Sequence, residues 1–260
     1  MKLTPIAFLS RVAGVLSCAT LLACDAHAQN SPISLAPAPP DEQSFVLAPY
    51  IWLATISIET SLPDRPPADV DKFESKLSAG AMLAAQARWG KWGLFTDFVW
   101  MQLKTEALTP GPAFSDAELK SDFFHTTAAL TYKLPTQGNL HADFLAGARL
   151  WYVNEDLVFT SGALPGRRIG DDNMWIDPMI GIDTRYDLNN KWSLIGKGIV
   201  AGFGVSADFA YELLGGVLYH FTPTISGSLG YRYLHEDYSK DRFDFDLEAH
   251  GFIVGVGFRF

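Results

Sequence analysis

The stretch Gly251-Phe-Ile-Val-Gly-Val-Gly-Phe-Arg-Phe260 decides how this chain is read. In an extended strand successive side chains point to opposite faces. Phe252, Val254, Val256, Phe258 and Phe260 therefore share one face, and it is wholly apolar. About nine to eleven tilted residues carry a β-strand across the hydrocarbon of a bilayer. A soluble domain gains little from such a face in its last residues, where fraying is common. The stretch predicts a membrane-crossing strand.

The other end of the chain agrees. Lys2 and Arg11 make a positive start, residues 12–23 an apolar run, and Ala26-His27-Ala28 a small-x-small cleavage site. The run is too short to span a membrane as a helix. Residues 1–28 are expected to be a signal peptide. The rival reading is lipoprotein processing at Leu21-Leu22-Ala23-Cys24, where Leu22 is bulkier than usual. Cleavage after Ala28 removes both cysteines, Cys18 and Cys24, so no disulfide is expected in an oxidising compartment.

Composition excludes several classes. Mean hydropathy is +0.08, and the most apolar internal segment, residues 193–221, is interrupted by Lys197, Asp208 and Glu212. Nothing in it reads as a helical membrane protein. Loss of Lys2, Arg11 and Asp25 with the leader takes the formal charge from −9 to −10. That balance argues against nucleic acid and polyanionic partners.

Residues 29–44, rich in proline and small residues, read as a periplasmic lead-in. From Phe45 onward the pattern has period two. Short breaks at Trp89-Gly90-Lys91, 135–139, 188–191 and 222–224 alternate with long polar breaks near 59–75, 106–117, 155–174, 203–209 and 236–242. Short turns at one end and long loops at the other are the asymmetry of outer-membrane barrels. The expected fold is all-β: a closed up-and-down antiparallel transmembrane β-barrel over 45–260, with ten strands and eight as the alternative.

A charge facing lipid is expensive, so charged residues mark the lumen face. The inward set is Arg88, Lys133, Arg149, Arg185, Lys197 and Arg232 against Asp97, Asp143, Asp177, Asp183 and Glu212. Their near balance predicts a salt-bridged lumen, with Arg149, Arg185 and Arg232 pairing Asp143, Asp183 and Glu212. The alternative is a narrow polar conduit. A wide pore belongs to barrels of about sixteen strands. Trp52, Trp89, Trp92, Trp100, Trp151, Trp192, Tyr132 and Tyr186 are expected in interfacial girdles. The facing of the first strand stays open, because 45–58 carries no charge.

Chemistry has weaker signals. Asp244, Asp246 and Glu248 alternate on one face and could bind a divalent cation, though such runs are usually a solvated rim, here with Glu236, Asp237 and Asp241. They share parity with Phe252 and Phe260, so the last strand either rises above the membrane or is bulged near His250-Gly251. The histidines show no metal-ligand spacing, and no catalytic residue or cofactor is assigned. Gly196-Lys-Gly198…Gly202-Phe-Gly204 lacks the following helix of a phosphate loop.

The signal, Pro49-Tyr50-Ile51-Trp52, Arg88-Trp89-Gly90-Lys91-Trp92-Gly93 and the terminal Phe260 together resemble small Gram-negative outer-membrane β-barrel proteins of the loose OmpA/OmpW-like kind. The terminal strand is similar to the signal by which such barrels are recognised for insertion. The resemblance implies residence in the outer membrane, contact with its lipid and lipopolysaccharide, and handling by the barrel-assembly machinery. It leaves oligomeric state open. It implies a structural or interaction role, with a channel for small or amphipathic solutes as alternative. A second alternative is a hydrolase on the outer lip. Omptin-type proteases use an Asp pair facing an Asp–His pair there, which Asp171-Asp172 with His235-Glu236-Asp237 could mimic by residue type. No motif of an outer-membrane lipid A deacylase is present.

Overall fold

The computed structural model describes residues 43–61, 73–74, 76–107, 114–240 and 243–260. The leader expected over 1–28 lies outside these residues. So does the lead-in, except for its last two positions, and Ser44 already belongs to the first strand.

The described residues form strands β1 (Ser44–Ser61), β2 (Phe73–Glu74), β3 (Lys76–Trp89), β4 (Trp92–Ala107), β5 (Phe114–Lys133), β6 (Leu140–Ser161), β7 (Arg167–Asp187), β8 (Trp192–Ala201), β9 (Phe209–His220), β10 (Ile225–Lys240) and β11 (Phe243–Arg259). β1 pairs antiparallel with both β2 and β3, each strand from β3 onward pairs antiparallel with the next, and β11 pairs with β1 from Arg259 opposite Val46 to Asp244 opposite Ser61. The two-residue β2 meets only the outer part of β1, so the wall is a closed ten-strand barrel. At the seam Phe45 and Phe260 exchange backbone hydrogen bonds of 3.2 and 2.8 Å, and their rings lie 6.1 Å apart. Closure matters because an unpaired backbone edge in lipid has no water to satisfy it.

The side-chain alternation sorts lipid from lumen on every strand. Phe144, Ile176, Ile180, Ile182, Leu213, Leu229, Phe252 and Val254 are exposed on the outside, while Arg149, Asp177, Glu212 and Arg232 are buried inside. The open question on β1 is resolved: Trp52, Ile56 and Ile58 point inward, Ile51 and Leu53 outward. Short turns close one end. At Gly90-Lys91 a two-residue connection turns on a glycine with φ of 61°, in the left-handed region that suits tight hairpins.

Three expectations are corrected. The strands run on through much of two segments read as long loops: β6 continues to Ser161, β7 starts at Arg167 and β10 reaches Lys240, while the breaks read near 59–75 and 106–117 lie partly outside the described residues. Polarity there marks the end of the bilayer, not the end of the ladder. Trp52 and Trp151 do not join an interfacial girdle; both are buried in the lumen. Trp151 has the parity of Arg149 on the same strand, so its inward direction was available from alternation. Glu236 is no part of a solvated rim either. It shares parity with Arg232 and is fully buried.

The last strand rises without a bulge. Its register with β10 and with β1 is unbroken from the membrane to the outer rim, and shifts occur only at Leu77/Ala79 and Phe114/Asp116 among the described pairings. Asp244, Asp246 and Glu248 thus stand on the outer face above Phe252. The opposite extreme is the β8–β9 hairpin, whose strands have 10 and 12 residues against 22 in β6. Its connecting segment, 202–208, fills the step so created. Gly202 N donates to Pro178 O at 3.1 Å, Asp208 N to Asp237 O at 2.9 Å, and Ala207 N to Asp177 Oδ1 at 2.8 Å.

The closing seam generates a prediction. A Cβ on Gly251 would stand 2.0 Å from the Leu53 carbonyl oxygen, a backbone atom of β1. Gly251→Ala should destabilise the barrel by about 1–3 kcal/mol, the usual cost of overpacking. The check is the midpoint of heat-modifiable gel mobility, and an unchanged midpoint would refute the tight seam.

Candidate functional site: the barrel interior

On β6 and β10 the inward side chains run from polar groups at the short-turn end, through a buried arginine, to aromatic and aliphatic residues higher up. On β6 the order is Asp143, Leu145, Arg149, Trp151, Val153; on β10 it is Ser228, Arg232, Leu234, Glu236, Tyr238. The interior is therefore layered.

The middle layer centres on two buried arginines. Arg232 Nη2 lies 3.0 Å from Glu212 Oε2 and 3.1 Å from Asp97 Oδ2. Its Nη1 donates to the Tyr50 hydroxyl at 2.8 Å, and that hydroxyl donates to Asp97 Oδ1 at 2.8 Å. The guanidinium also rests 4.8 Å from the Trp52 ring centre. Arg149 bonds the same Glu212 Oε2 through Nη2, and its Nε donates to Thr127 Oγ1 at 3.0 Å. Two cations thus meet two carboxylates, with none of the four charged groups more than 8 % exposed. Six strands supply this girdle: β1, β4, β5, β6, β9 and β10.

Above it the lumen is filled mainly by apolar side chains, with His125 and Glu236 buried among them. Trp151 stacks on Trp175 at 5.8 Å, Trp175 on Tyr238 at 4.2 Å, and Phe245 packs edge-on against both tryptophans. His125 meets Trp151 edge-on at 4.6 Å. Met101, Leu103, Phe123, Leu247, Ile56 and Ile58 complete the cluster. Trp175 Nε1 donates to Glu236 Oε1 at 3.1 Å.

Below the girdle, at the short-turn end, lies a cavity of about 290 Å³. Arg88, Lys133, His141, Asp143, Asp183, Arg185, His220 and Arg259 line it, together with serine and threonine hydroxyls. Arg88 grips Asp143 through two hydrogen bonds of 3.0 and 2.5 Å. Lys197 sits 3.4 Å from Asp183 and 3.7 Å from the Phe95 ring centre, above the cavity.

The expected lumen residues therefore divide between two places. Arg149, Arg232, Glu212 and Asp97 assemble into the girdle, and Asp177 joins the 202–208 connection. Arg88, Lys133, Asp143, Asp183 and Arg185 line the mouth, with Lys197 at its roof. The pairing pattern differs from the expected one. Glu212 serves both Arg149 and Arg232, Asp143 serves Arg88, Asp183 serves Lys197, and Arg185 turns to Asp187 at 3.0 Å. Alternation gives the face but not the height, and height selects partners across a lumen. Tyr50 escaped notice because nothing on its strand broke the tie between faces.

The other candidates do not converge. Asp246 lies 3.6 Å from His235, and Asp244 accepts from Ser239 Oγ at 2.5 Å, so these outer-face acids are engaged separately. Among the described residues no three His, Cys, Asp or Glu side chains gather as metal ligands. His235 and Asp172 stand on the outer faces of β10 and β7, with the β8–β9 hairpin between them. The Gly196–Gly204 run is divided between β8 and the connection, where Gly202, Phe203 and Gly204 all have positive φ.

No protein-family model matches the sequence, and no curated protein matches it. Solved structures do match. The outer-membrane protease OmpT of Escherichia coli superposes with a TM-score of 0.54 at 12% identity, covering 87% of this chain and 100% of that one. The NalP translocator domain of Neisseria meningitidis gives 0.44 at 12% identity, covering 98% and 96%, and neisserial surface protein A 0.36 at 16%, covering 85% and 100%. The closed ten-strand wall, its apolar belt and the architecture shared with OmpT define a small outer-membrane β-barrel protein. The cell outer membrane is its place.

The girdle can be tested directly. Arg232→Met or Glu212→Gln leaves buried opposite charges without a partner, which costs on the order of 3–5 kcal/mol. Both variants should lower the midpoint of thermal unfolding in detergent clearly. Arg168→Gln, at an exposed guanidinium that bonds Asp156 outside the belt, should leave it in place. Equal midpoints for all three would show that the girdle bears no load.

Proposed function

We propose that this protein is a non-conducting outer-membrane barrel with a structural or interaction role. The observation that carries the reading is the Arg149–Glu212–Arg232–Asp97 girdle, buried between strands from across the wall and roofed by the Trp151–Trp175–Tyr238 stack. A conducting path needs water-filled clearance past fixed charges. Here those charges are spent on one another.

The interaction side of the reading rests on wall height. β6 and β7 have 22 and 21 residues, roughly twice the nine to eleven that cross a bilayer. Their outer halves, with β5, offer a sheet beyond the membrane to other molecules. The belt would face lipid and lipopolysaccharide, and the Phe252–Phe260 face is what assembly machinery would read. OmpT is a protease, but its likeness to this chain is one of fold, and the acids and histidine that could imitate its site are apart here.

Planar-bilayer recording of the refolded chain is the test. Conductance at background is expected, both for the native sequence and for Arg168→Gln. Reproducible unitary steps in the native protein would overturn the proposal in favour of a channel.

A further inference from the structure

The mouth of the barrel reverses the sign of the molecule. The chain carries a formal charge of −9, yet the cavity at the short-turn end is lined by Arg88, Lys133, Arg185 and Arg259 against Asp143 and Asp183. Arg185 is answered by Asp187, 3.0 Å away just outside the lining, and the two lining carboxylates are already committed. Asp143 is held in the fork of Arg88, and Asp183 is held by Lys197 from the roof. Lys133 sits directly across the β5–β6 ladder from Asp143, but the Arg88 fork has taken that carboxylate. The Lys133 ammonium has no carboxylate partner among the described residues.

Cation excess confined in a narrow cup concentrates field on whatever enters it. Ser226 and Ser228 add hydroxyls to the same lining, so an oxyanion would find donors as well as charge. The girdle above leaves the cup without an exit toward the outer face, and it opens to the periplasmic side, where the short turns lie. Its volume of about 290 Å³ falls at the low end of small-molecule sites, which run from about 300 to 1,000 Å³. A polymer does not fit; a small solute does.

We propose that this cup is a binding site for a small multivalent oxyanion, of the phosphate-ester or polycarboxylate class, entering from the periplasm. The overall acidity that disfavours extended polyanions does not oppose it, since the field inside the cup is set by its own lining. Lys133 contributes the uncommitted charge, and Arg88 is fixed in place by Asp143.

The test uses the refolded full chain in zwitterionic detergent, with inorganic pyrophosphate as probe, followed by titration calorimetry at low salt. Saturable one-site binding is expected, weakened about tenfold by Lys133→Gln, as loss of one charged contact predicts. Lys133→Arg should restore it, added salt should weaken it, and Arg168→Gln at the opposite rim should leave it unchanged. Heat-modifiable mobility confirms that each variant is folded; if Lys133→Gln fails that check, Arg259→Gln takes its place. Absence of saturable binding, indifference to the mouth variant, or equal weakening by Arg168→Gln would each overturn the site. The outcome is independent of conductance, so failure here leaves the sealed-lumen reading to its own test.

Discussion

Everything in this molecule depends on the hydrogen bonds between β1 and β11. A bilayer offers nothing to satisfy a peptide group, so a sheet can cross it only when its two edges meet. The pairing from Val46–Arg259 to Ser61–Asp244, interrupted only at Ala48 and Pro49, meets that demand, and the Phe45–Phe260 exchange completes it at the last residue. Closure then imposes a narrow interior. Ten strands leave a lumen that long side chains can fill, and this chain fills it.

Filling the lumen with charge carries a cost that the girdle offsets by geometry. Ions lose hydration on burial, and the loss is recovered only when each finds well-placed opposite charges. Glu212 accepts from Arg149 and is ion-paired with Arg232, Asp97 is ion-paired with Arg232 and accepts from Tyr50, and Trp52 covers one face of Arg232. The apolar layer above excludes water that would weaken these contacts. Charge and aromatic layers thus support one another, and the mouth, where water returns, is free to keep a surplus of cations.

The wall is uneven, and the unevenness separates two kinds of surface. β6 and β7 extend far beyond the belt, whereas the β8–β9 hairpin stops short and its connection folds back over Asp177. Polar residues along the tall strands continue the ladder in water. Reading them as loops mistook a change of solvent for a change of structure, because a strand above a membrane keeps its hydrogen bonds but no longer needs an apolar face. Trp151 and Glu236 show the complementary lesson. Their parity with Arg149 and Arg232 announced their direction, while their residue types suggested a girdle and a rim.

Period-two alternation, the spacing of the turns and the aromatic terminal face were enough to assign the architecture and the lumen face of β6, β7, β9 and β10, because both are local properties of a strand. Partner choice inside the barrel was not local. Arg149 and Glu212 are far apart in sequence and reach one another across the lumen at a height set by strand tilt and register, which no single strand encodes. The same holds for Tyr50, whose facing depended on its pairing with β3 and β11. The residues that line the cationic mouth were each visible as inward charges. Their segregation from the girdle, and the cup that results, came from closing the sheet.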